Sequence, residues 1–524
     1  MAKYLFKRIL HGIFSLVVVV AIVMLMIYSL MDRNLIFAKD TSYTHLANNA
    51  KEVYKYERWE EYGYIDHVSY ADYLTELVKQ GEMTEAEREE AVAFGRTEAK
   101  DSKIVSEYIE KFTEYYEGQG YEIKRLDAVT DTAGRKLADG GRQQLFAFRD
   151  EPLLGRLWGF FSGLISVEDI NAVSNDVGER GITFTLYDPL YGGEKFSPAI
   201  IGNGTYHKYL LYFDSKFPYI HQNIVDINLG TSYSVNKGVD VFDTMLESQG
   251  AYVQSTITYP TGHTELSADD LHTATYQSGA RDMNPILKAR FTDNYTGVTT
   301  VKGGMSKMAY SFIIGIISVA LAYFIGIPVG LVMARKKDKL VDKLGTAYIM
   351  FIIAVPSLAY IFLFKAIGTS FGLPGTFMVD SKDKLMYILP IVSLALPSIA
   401  NQMKWGRRYM IDQMNSDYVK FARSGGLTEA EIFSKHILKN AAIPIVHGIP
   451  GAVIYALTGA IITERVYVVP GTGNLLTTAI NQYDNGVIVG LALFYAVLSI
   501  VSIILGDVLM ATIDPRISFT TKDR

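Results

Sequence analysis

The residue types that usually carry chemistry are present in this 524-residue chain, but they lack the spacing that catalysis or metal binding requires. His67, His207, His221, His263 and His272 are scattered without metal-ligand spacing, and neither H-E-x-x-H nor G-x-S-x-G occurs. No G-x-x-x-x-G-K-S/T loop is present to hold nucleotide phosphates, and the absence of cysteine excludes thiolate sites and disulfides. Carboxylates are abundant, but nothing selects an acid/base pair. We therefore expect no catalytic residue, bound cofactor or metal site in this chain.

The segment 417–440 (DYVKFARSGGLTEAEIFSKHILKN) has the pattern of a polar helical hairpin between two apolar stretches. Tyr418, Phe421 and Ala422 recur at helical spacing and predict the apolar stripe of a first helix. The pair Gly425-Gly426 then predicts a turn in which a side chain would clash. A polar hairpin between two segments of membrane length is expected to dock onto something in the cytosol.

A second helix is predicted to begin immediately after this turn. Thr428 can cap it by accepting a hydrogen bond from the backbone N–H of Glu431, whose side chain reaches back to Thr428. Four residues extend the apolar side of the hairpin: Ile432, Phe433, His436 and Ile437.

This hairpin resembles the cytoplasmic coupling loop of ABC importer permeases, whose pattern is E-A-A, three residues, G, nine residues, I-x-L-P. The triplet 420–422 takes the E-A-A position, Gly426 falls on the motif glycine, and Ile437-Leu438 lies near the I-x-L-P end. Lys439 stands where the general motif has proline. This departure and Lys420 are usual in the oligopeptide and dipeptide branch, whose B-type permeases carry a stretch similar to D-Y-V-x-x-A-R-x-x-G-L.

The resemblance implies which residues of the hairpin couple to cytoplasmic ATPases. They are Lys420, Ala422, Arg423, Gly425, Gly426, Leu427 and Glu431. The opposing interpretation is a solvated hairpin that merely connects two spans.

Three further segments are similar to motifs of the same branch. The segment 226–232 (DINLGTS) resembles G-D-L-G-x-S, the segment 464–473 (ERVYVVPGTG) resembles E-x-x-F-x-x-P-G-x-G, and the segment 514–516 resembles the D-P-R terminus. The matches cover the first apolar segment and roughly residues 226–524. The region between about 33 and 220 has no clear counterpart in the family pattern.

Charge and hydrophobicity divide the chain into two parts. Charged residues make up 20% of the chain and concentrate between about residues 32 and 305, whereas several later segments carry no charge at all. The formal net charge of −5 argues against nucleic-acid binding, which needs a basic face to neutralise phosphates. A membrane part and a water-exposed part therefore share one chain.

Six segments are long and apolar enough to cross a bilayer core of about 30 Å, which takes roughly 20 helical residues. They run approximately over residues 9–31, 309–334, 346–364, 385–403, 441–463 and 486–505. The first could be a cleaved signal peptide, but it is too long and lacks a small-x-small cleavage site. Prolines within the spans predict either hinges or ordinary kinked packing.

Basic residues flanking the spans predict the orientation, because Lys and Arg are retained on the cytoplasmic side. Lys3, Lys7 and Arg8 place the N-terminus inside, and the basic loop 335–343 and the hairpin fall on the same side. Residues 32–305 are then extracellular.

The sequence of the extracellular part predicts mixed α and β structure. Residues 83–116 are helical in pattern, with Thr84 and Glu87 forming a second capping box, whereas 181–187 and 252–259 alternate as strands do. Many of the 35 tyrosines lie here, where they suit either a protein interface or an ordinary folded domain.

The fold class expected is a membrane α-helical, six-span ABC importer (type I) permease bundle with a large mixed α/β extracellular insertion. Its parts would be a first transmembrane helix (1–31), an extracellular domain (32–305), a five-helix permease core (306–516) with the coupling hairpin in 411–440, and a cytoplasmic tail (517–524). Both termini would be cytoplasmic in a multi-pass protein of the cell membrane.

The function that the resemblance implies is that of a permease subunit in an ATP-driven oligopeptide importer. It implies a second homologous permease, two cytoplasmic ATPases that bind ATP and Mg, an extracellular peptide-binding protein and a peptide substrate. The extracellular domain would orient the binding protein over the pore entrance.

Two alternatives stay open from the sequence. One is a membrane-anchored receptor or sensor whose extracellular part does the work, although five further spans are excessive for an anchor. The other is an importer of nickel or another small solute in the same family, which would differ only in the chemistry of its cavity.

Overall fold

The computed structural model describes residues 2–92, 102–130, 133, 143–174, 177–188, 193–194, 196–213, 220–222, 224–258, 264–267, 275–276, 295–296, 300–379 and 383–513. The predictions for His263, His272, the segment 514–516 and the tail 517–524 lie outside these residues.

Helices occur along the whole described chain. They are α1 (Ala2–Leu30), α2 (Thr41–His45), α3 (Asn48–Glu61), α4 (Tyr70–Gln80), α5 (Glu85–Val92), α6 (Lys103–Glu117), α7 (Leu153–Gly163), α8 (Val241–Leu246), α9 (Lys307–Arg335), α10 (Leu340–Ala354), α11 (Ser357–Ser370), α12 (Ile388–Met414), α13 (Asp417–Ser424), α14 (Glu429–Glu431), α15 (Leu438–Tyr467), α16 (Thr472–Gln482) and α17 (Asn485–Ile513), with 3₁₀ turns at Arg33–Phe37 and Lys384–Tyr387 and a π-helical segment at Ile432–Ile437.

All described strands lie between α3 and α9. They are β1 (Ile65–Ser69), β2 (Glu122–Leu126), β3 (Gln144–Asp150), β4 (Ile165–Val167), β5 (Gly181–Thr185), β6 (Ala199–Asn203), β7 (Tyr209–Phe213), β8 (Ile220–Gln222), β9 (Val225–Ile227), β10 (Tyr252–Val253), β11 (Ser255–Thr258), β12 (Thr264–Ser267), β13 (Thr275–Tyr276), β14 (Tyr295–Thr296) and β15 (Val301–Lys302). The two larger sheets are antiparallel, with strand orders β1-β3-β2 and β5-β6-β7-β8. This region is therefore mixed α and β, as its sequence predicts, and the Thr84–Glu87 capping box is present.

Within the residues that the structure describes, five helical stretches are long and apolar enough to cross a membrane, and six spans result if one bent pair counts as a span. The five are Tyr4–Leu30, Lys307–Arg335, Lys384–Met414, Glu429–Tyr467 and Asn485–Ile513. The bent pair is α10 and α11, which meet at an angle of 113°.

The predicted span over 346–364 is interrupted, because the chain leaves the helix at Val355-Pro356. Val355 has an extended ψ of 130°, which is the conformation that a following proline imposes on its neighbour. Pro356 also lacks the N–H that would continue the helical hydrogen bonds. Other prolines within predicted spans do not interrupt the helix, as Pro328 in α9 and Pro397 in α12 show.

Close packing of α9 against α12 forms the centre of the membrane part. Gly326 and Gly330 are one helical turn apart, and a Cβ atom on either would lie 2.8 Å from the carbonyl oxygen of Ile399 or Met403. Small residues at this spacing let two backbones approach each other, which is how helices associate in lipid. Larger side chains such as Ile314, Met333 and Tyr360 fill the core around this contact.

A buried carboxylate holds the loop 231–235 against the start of α17. Asp484 accepts backbone N–H bonds from Tyr233, Ser234 and Val235, each at 2.9 Å, and a hydroxyl bond from Ser232 at 2.7 Å. It also accepts from the N–H of Val487 in the first turn of α17 at 3.2 Å. One side chain therefore satisfies donors from both the loop and the helix.

A second buried carboxylate organises the segment 464–473. Glu464, at the end of α15, accepts from the Ser311 hydroxyl at 2.6 Å and from the backbone N–H of Asn474 at 2.9 Å. Asn474 lies in the first turn of α16, where unpaired N–H groups attract an anion. Gly471 and Gly473 approach this carboxylate so closely that a side chain at either position would overlap it.

Aromatic residues join the α/β region to the membrane part. The Tyr64 hydroxyl accepts from the side-chain amide of Asn485 at 2.8 Å, and the hydroxyls of Tyr28 and Tyr233 lie 3.1 Å apart. Tyr62 stacks on Tyr233 with ring centroids 3.9 Å apart. These tyrosines therefore serve as packing residues at the junction of the two parts.

Removing the charge of Asp484 should loosen this junction. In Asp484→Asn the amide NH₂ group would face N–H donors from the loop, which would leave buried groups without acceptors. We therefore expect the free energy of unfolding to fall by about 3 kcal/mol. Thermal unfolding in matched detergent measures the effect. Asp412→Asn is the control, since Asp412 is exposed and lies 4.0 Å from Arg408. Equal midpoints for the two variants would contradict the assigned role.

Candidate functional site: a docked hairpin beside a central cavity

The hairpin begins with α13 and returns through α14 and the π-helical segment into α15. Thr428 accepts from the backbone N–H of Glu431 at 3.3 Å, and Glu431 accepts from the backbone N–H of Thr428 at 3.1 Å. The predicted capping box is therefore confirmed. The π-helical turn at Ile432–Ile437 was not predicted, and no sequence signal identifies it.

The two glycines of the turn have different roles. Gly426 has a φ of +83°, which L side chains rarely adopt, whereas Gly425 has an ordinary φ of −77°. No atom lies within 4 Å of a Cβ built on Gly426. The predicted clash is confirmed at Gly426, where a side chain would meet the adjoining backbone rather than another part of the fold.

A small apolar core fixes the hairpin to the ends of two membrane helices. Val419 is 1% exposed and packs with Ile432 and Ile437 against Ala334 of α9 and Met410 of α12. The guanidinium of Arg335 lies 5.2 Å from the centre of the Phe433 ring on the same side. The hairpin is therefore packed onto the ends of α9 and α12 by a shared apolar core.

The predicted apolar stripe of α13 is wrong in one residue. Tyr418 and Ala422 are half-buried and pack against this core, but Phe421 is 80% exposed. Val419 takes the buried position because residues 418, 419 and 422 share one helical face, and Phe421 points away from it. A large aromatic side chain is thus left on the outer surface of the hairpin.

Two ion pairs order the polar surface around Phe421. The Arg423 guanidinium donates two bonds to Glu429, at 2.6 and 3.1 Å, which raises the pKa of Arg423. Lys420 donates to Asp417 at 2.8 Å and lowers the pKa of that carboxyl group. All four residues are exposed, so the pairs fix geometry more than they stabilise the fold.

The structure divides the predicted coupling residues into two groups. Lys420, Arg423, Gly425 and Gly426 lie on the exposed surface, whereas Ala422, Leu427 and Glu431 are half-buried. Phe421 belongs with the first group, and the sequence assigned it to the wrong face.

A cavity of about 740 Å³ opens between α9, α10, α12 and α15. Its lining is mainly apolar and aromatic, with a few polar groups and one charged side chain: Val319, Ala322, Tyr323, Ile352, Ile353, Pro397, Ser398, Ala400, Asn401, Gln402, Lys404, Trp405, Tyr409, Pro444, Ile445, Gly448, Gly451, Ala452 and Tyr455. The sequence could not identify this set, because it is assembled from four helices far apart in the chain.

Tyr409 connects the cavity to the hairpin. It lines the cavity and also packs against the apolar core of the hairpin. Its ring stacks on Trp405, another lining residue, with centroids 5.6 Å apart. One side chain therefore joins the core of the hairpin to the cavity wall.

A salt bridge fixes the bent pair of helices beside this contact. Arg407 of α12 donates two bonds to the buried Asp342 of α10, at 2.6 and 2.8 Å. Asp342 also accepts from the backbone N–H of Asp338. Among the described residues, no three His, Asp or Glu side chains are grouped to hold a metal ion.

Residues 326–519 match the family described as binding-protein-dependent transport system inner membrane component. The oligopeptide transport system permease protein AmiC of Streptococcus pneumoniae serotype 4 is 34% identical over 100% of this chain and 99% of its own length. The dipeptide transport system permease protein DppB of Lactococcus lactis subsp. cremoris is 30% identical over 43% of this chain and 73% of its own length.

The methionine ABC transporter MetNI in an inward-facing conformation is 13% identical and covers 40% of this chain and 94% of its own. Its TM-score of 0.34 is too low to carry a structural conclusion. The match to AmiC includes the region before residue 220 that the general family pattern lacks. The chain belongs to the ABC importer permeases, in the oligopeptide and dipeptide transport branch.

Proposed function

We propose that this chain is a permease subunit of an ATP-driven importer of oligopeptides and forms half of the translocation pathway. The observation that carries the proposal is the position of Tyr409, which belongs to both the cavity wall and the core under the hairpin. Support for the substrate class comes from the full-length similarity to a permease named for oligopeptide transport.

Coupling requires a surface that an ATPase can bind and rigid packing between that surface and the membrane helices. The exposed Phe421 ring supplies the binding contact, because an aromatic side chain that becomes buried at an interface contributes a large contact area at little entropic cost. The buried Val419 and Ile432 supply the connection. We infer that closure of two ATPases, which hold ATP and Mg, displaces the hairpins and rocks the helices between outward and inward openings.

The chemistry of the cavity suits a peptide better than a metal ion. Tyr323, Asn401, Gln402 and Tyr455 offer hydroxyl and amide groups that can pair with peptide N–H and C=O groups. Its described lining contains no Asp, Glu or His, the side chains that hold nickel. A nickel importer is therefore the weaker proposal.

The complex that follows contains a second permease, two ATPases and an extracellular peptide-binding protein. Both termini would be cytoplasmic, and residues 32–305 would be extracellular, where they orient the binding protein. A receptor or sensor is less well supported, because neither a cavity nor a hairpin packed onto helix ends is needed for anchoring.

Phe421→Ala should weaken the ATPase contact without unfolding the hairpin. The ring is exposed, so its removal leaves no cavity in the hairpin. We expect the free energy of binding to the ATPase to weaken by about 2 kcal/mol. Copurification of ATPase subunits and uptake of labelled peptide should both fall. Ser424→Ala, also on the exposed surface of α13, is the matched control and should retain both activities. Normal copurification with Phe421→Ala would contradict the proposed contact.

Gly426→Ala and Gly425→Ala test the turn with one added methyl group each. Alanine at Gly426 must take a left-handed conformation at a cost of about 1 kcal/mol or more, whereas at Gly425 it meets no such penalty. We expect reduced peptide uptake and faster protease cleavage of the hairpin only for Gly426→Ala. Equal behaviour of the two variants would show that the turn conformation is unimportant for coupling.

Gly451→Leu should obstruct the pathway while leaving ATPase association intact. A Cβ on Gly451 meets no atom within 4 Å, so a leucine can extend into the cavity without a backbone clash. Uptake of labelled peptides of graded length should fall, most for the longest, and Gly451→Ala should have little effect. Unchanged uptake by Gly451→Leu would place the pathway elsewhere, and uptake of nickel but not peptide would identify the other substrate class.

A further inference from the structure

The helix α7 (LLGRLWGFFSG) carries one charged side chain, and that charge is fully engaged. The guanidinium of Arg156 donates to the carbonyl oxygens of Glu151 at 3.0 Å and Tyr64 at 2.8 Å. It also lies over the rings of Tyr28 and Tyr64, 4.8 and 4.9 Å from their centres. The rest of the helix therefore presents only apolar and small residues.

One face of α7 packs on the membrane part. Leu157, Phe160 and Phe161 contact the apolar cluster that contains Val20 and Met24 of α1. The Phe160 ring would lie 3.7 Å from a Cβ on Gly230, and Gly230 in turn adjoins the backbone of Gly486. This face is accounted for by ordinary core packing.

These contacts also fix the level of α7 relative to the spans. Tyr28 stands two residues before Leu30, the last residue of α1, and Gly486 is the second residue of α17. The helix thus lies beside the terminus of the first span and the beginning of the last. In a bilayer this is the level of the boundary between headgroups and acyl chains.

The opposite face of α7 has no partner among the described residues. Leu154 is 79% exposed and Trp158 is 75% exposed, and they stand one helical turn apart on the same face. On the adjoining end of α1, Met26 and Leu30 are also exposed. Exposed apolar side chains therefore occur both at the end of the first span and on α7.

We propose that α7 is an interfacial helix whose Leu154 and Trp158 side chains insert into the lipid boundary at the end of the first span. Three observations favour lipid as the occupant: the level set by Tyr28 and Gly486, the lack of a free charge on α7, and the exposed apolar side chains at the same end of α1. Tryptophan prefers this boundary because its ring is apolar and its N–H can reach headgroups or water. A short helix that lies in the interface binds through its buried apolar face.

This contact holds the α/β region at a defined height above the bilayer. Arg156 connects α7 to the carbonyl oxygen of Tyr64, which directly precedes β1. Because Tyr64 also bonds Asn485 at the start of α17, the lipid contact, the last span and the three-stranded sheet share one junction.

Site-directed spin labelling tests the proposal, because the chain has no cysteine of its own. The variants Leu154→Cys and Trp158→Cys are compared with Phe14→Cys, exposed on α1, and Tyr115→Cys, exposed on α6. The full chain, with the subunits that copurify, is placed in lipid nanodiscs. Collision with oxygen, which partitions into lipid, and with a water-soluble nickel chelate is then measured for each nitroxide.

The expected result is an oxygen-to-nickel accessibility ratio at both α7 positions that approaches the Phe14 value and exceeds the Tyr115 value several-fold. A ratio like that of Tyr115 would show that the face is in water and would overturn the proposal. Low collision with both reagents would show that another protein covers the face, which would also overturn it.

A second measurement leaves α7 free of a label. Brominated lipids quench tryptophan on contact, so the quenching lost on Trp158→Phe isolates the contribution of this residue. Clear loss of quenching with Trp158→Phe is expected, and none with Trp59→Phe, since Trp59 is buried in the α/β region. Equal quenching of the unmodified protein and the Trp158→Phe variant would exclude lipid contact at this position.

Discussion

Backbone N–H groups at the start of a helix need acceptors, and two buried carboxylates supply them where the last helices begin. Asp484 serves α17 and the loop 231–235 together, while Glu464 serves α16 and the hydroxyl of Ser311. Both sites are tightly packed, since a Cβ atom at 471, 473 or 486 would come closer than 3.0 Å to a neighbouring atom. The hydrogen bonds that these two carboxylates accept fix the path of the chain between α15 and α17.

The helix α15 connects this end of the molecule to the hairpin. It ends at the level of Glu464, lines the cavity at Gly448 and Gly451, and begins at the π-helical turn that carries Ile432 and Ile437. Its two internal prolines break the regular hydrogen bonding near the cavity, where the helix can bend at the lowest cost. The prolines therefore place the most easily bent part of α15 at the cavity, between the hairpin and the Glu464 end.

The sequence predicted features that depend on local patterns and missed those that depend on packing. The long apolar segments, the Thr428–Glu431 capping box and the exceptional Gly426 were readable because each is set by neighbouring residues. The exposed position of Phe421 was missed, since α13 offers two apolar faces and only the contact with α9 and α12 decides between them. The bend at Val355-Pro356 carried a signal, because the residue before a proline avoids helical backbone angles.

The α/β region is joined to the membrane helices too firmly to act as an independent module. Its aromatic core includes Tyr233 of the loop that Asp484 holds, and its first sheet is tied through Tyr64 to Asn485. The α/β region contacts α1 and α17, and it also contacts α9 through α8 and the ion pair of Glu247 with Lys307. The hairpin packs on the ends of α9 and α12. Both regions therefore contact α9, and α15, which packs against α9, α12 and α17, joins the helices that each region contacts.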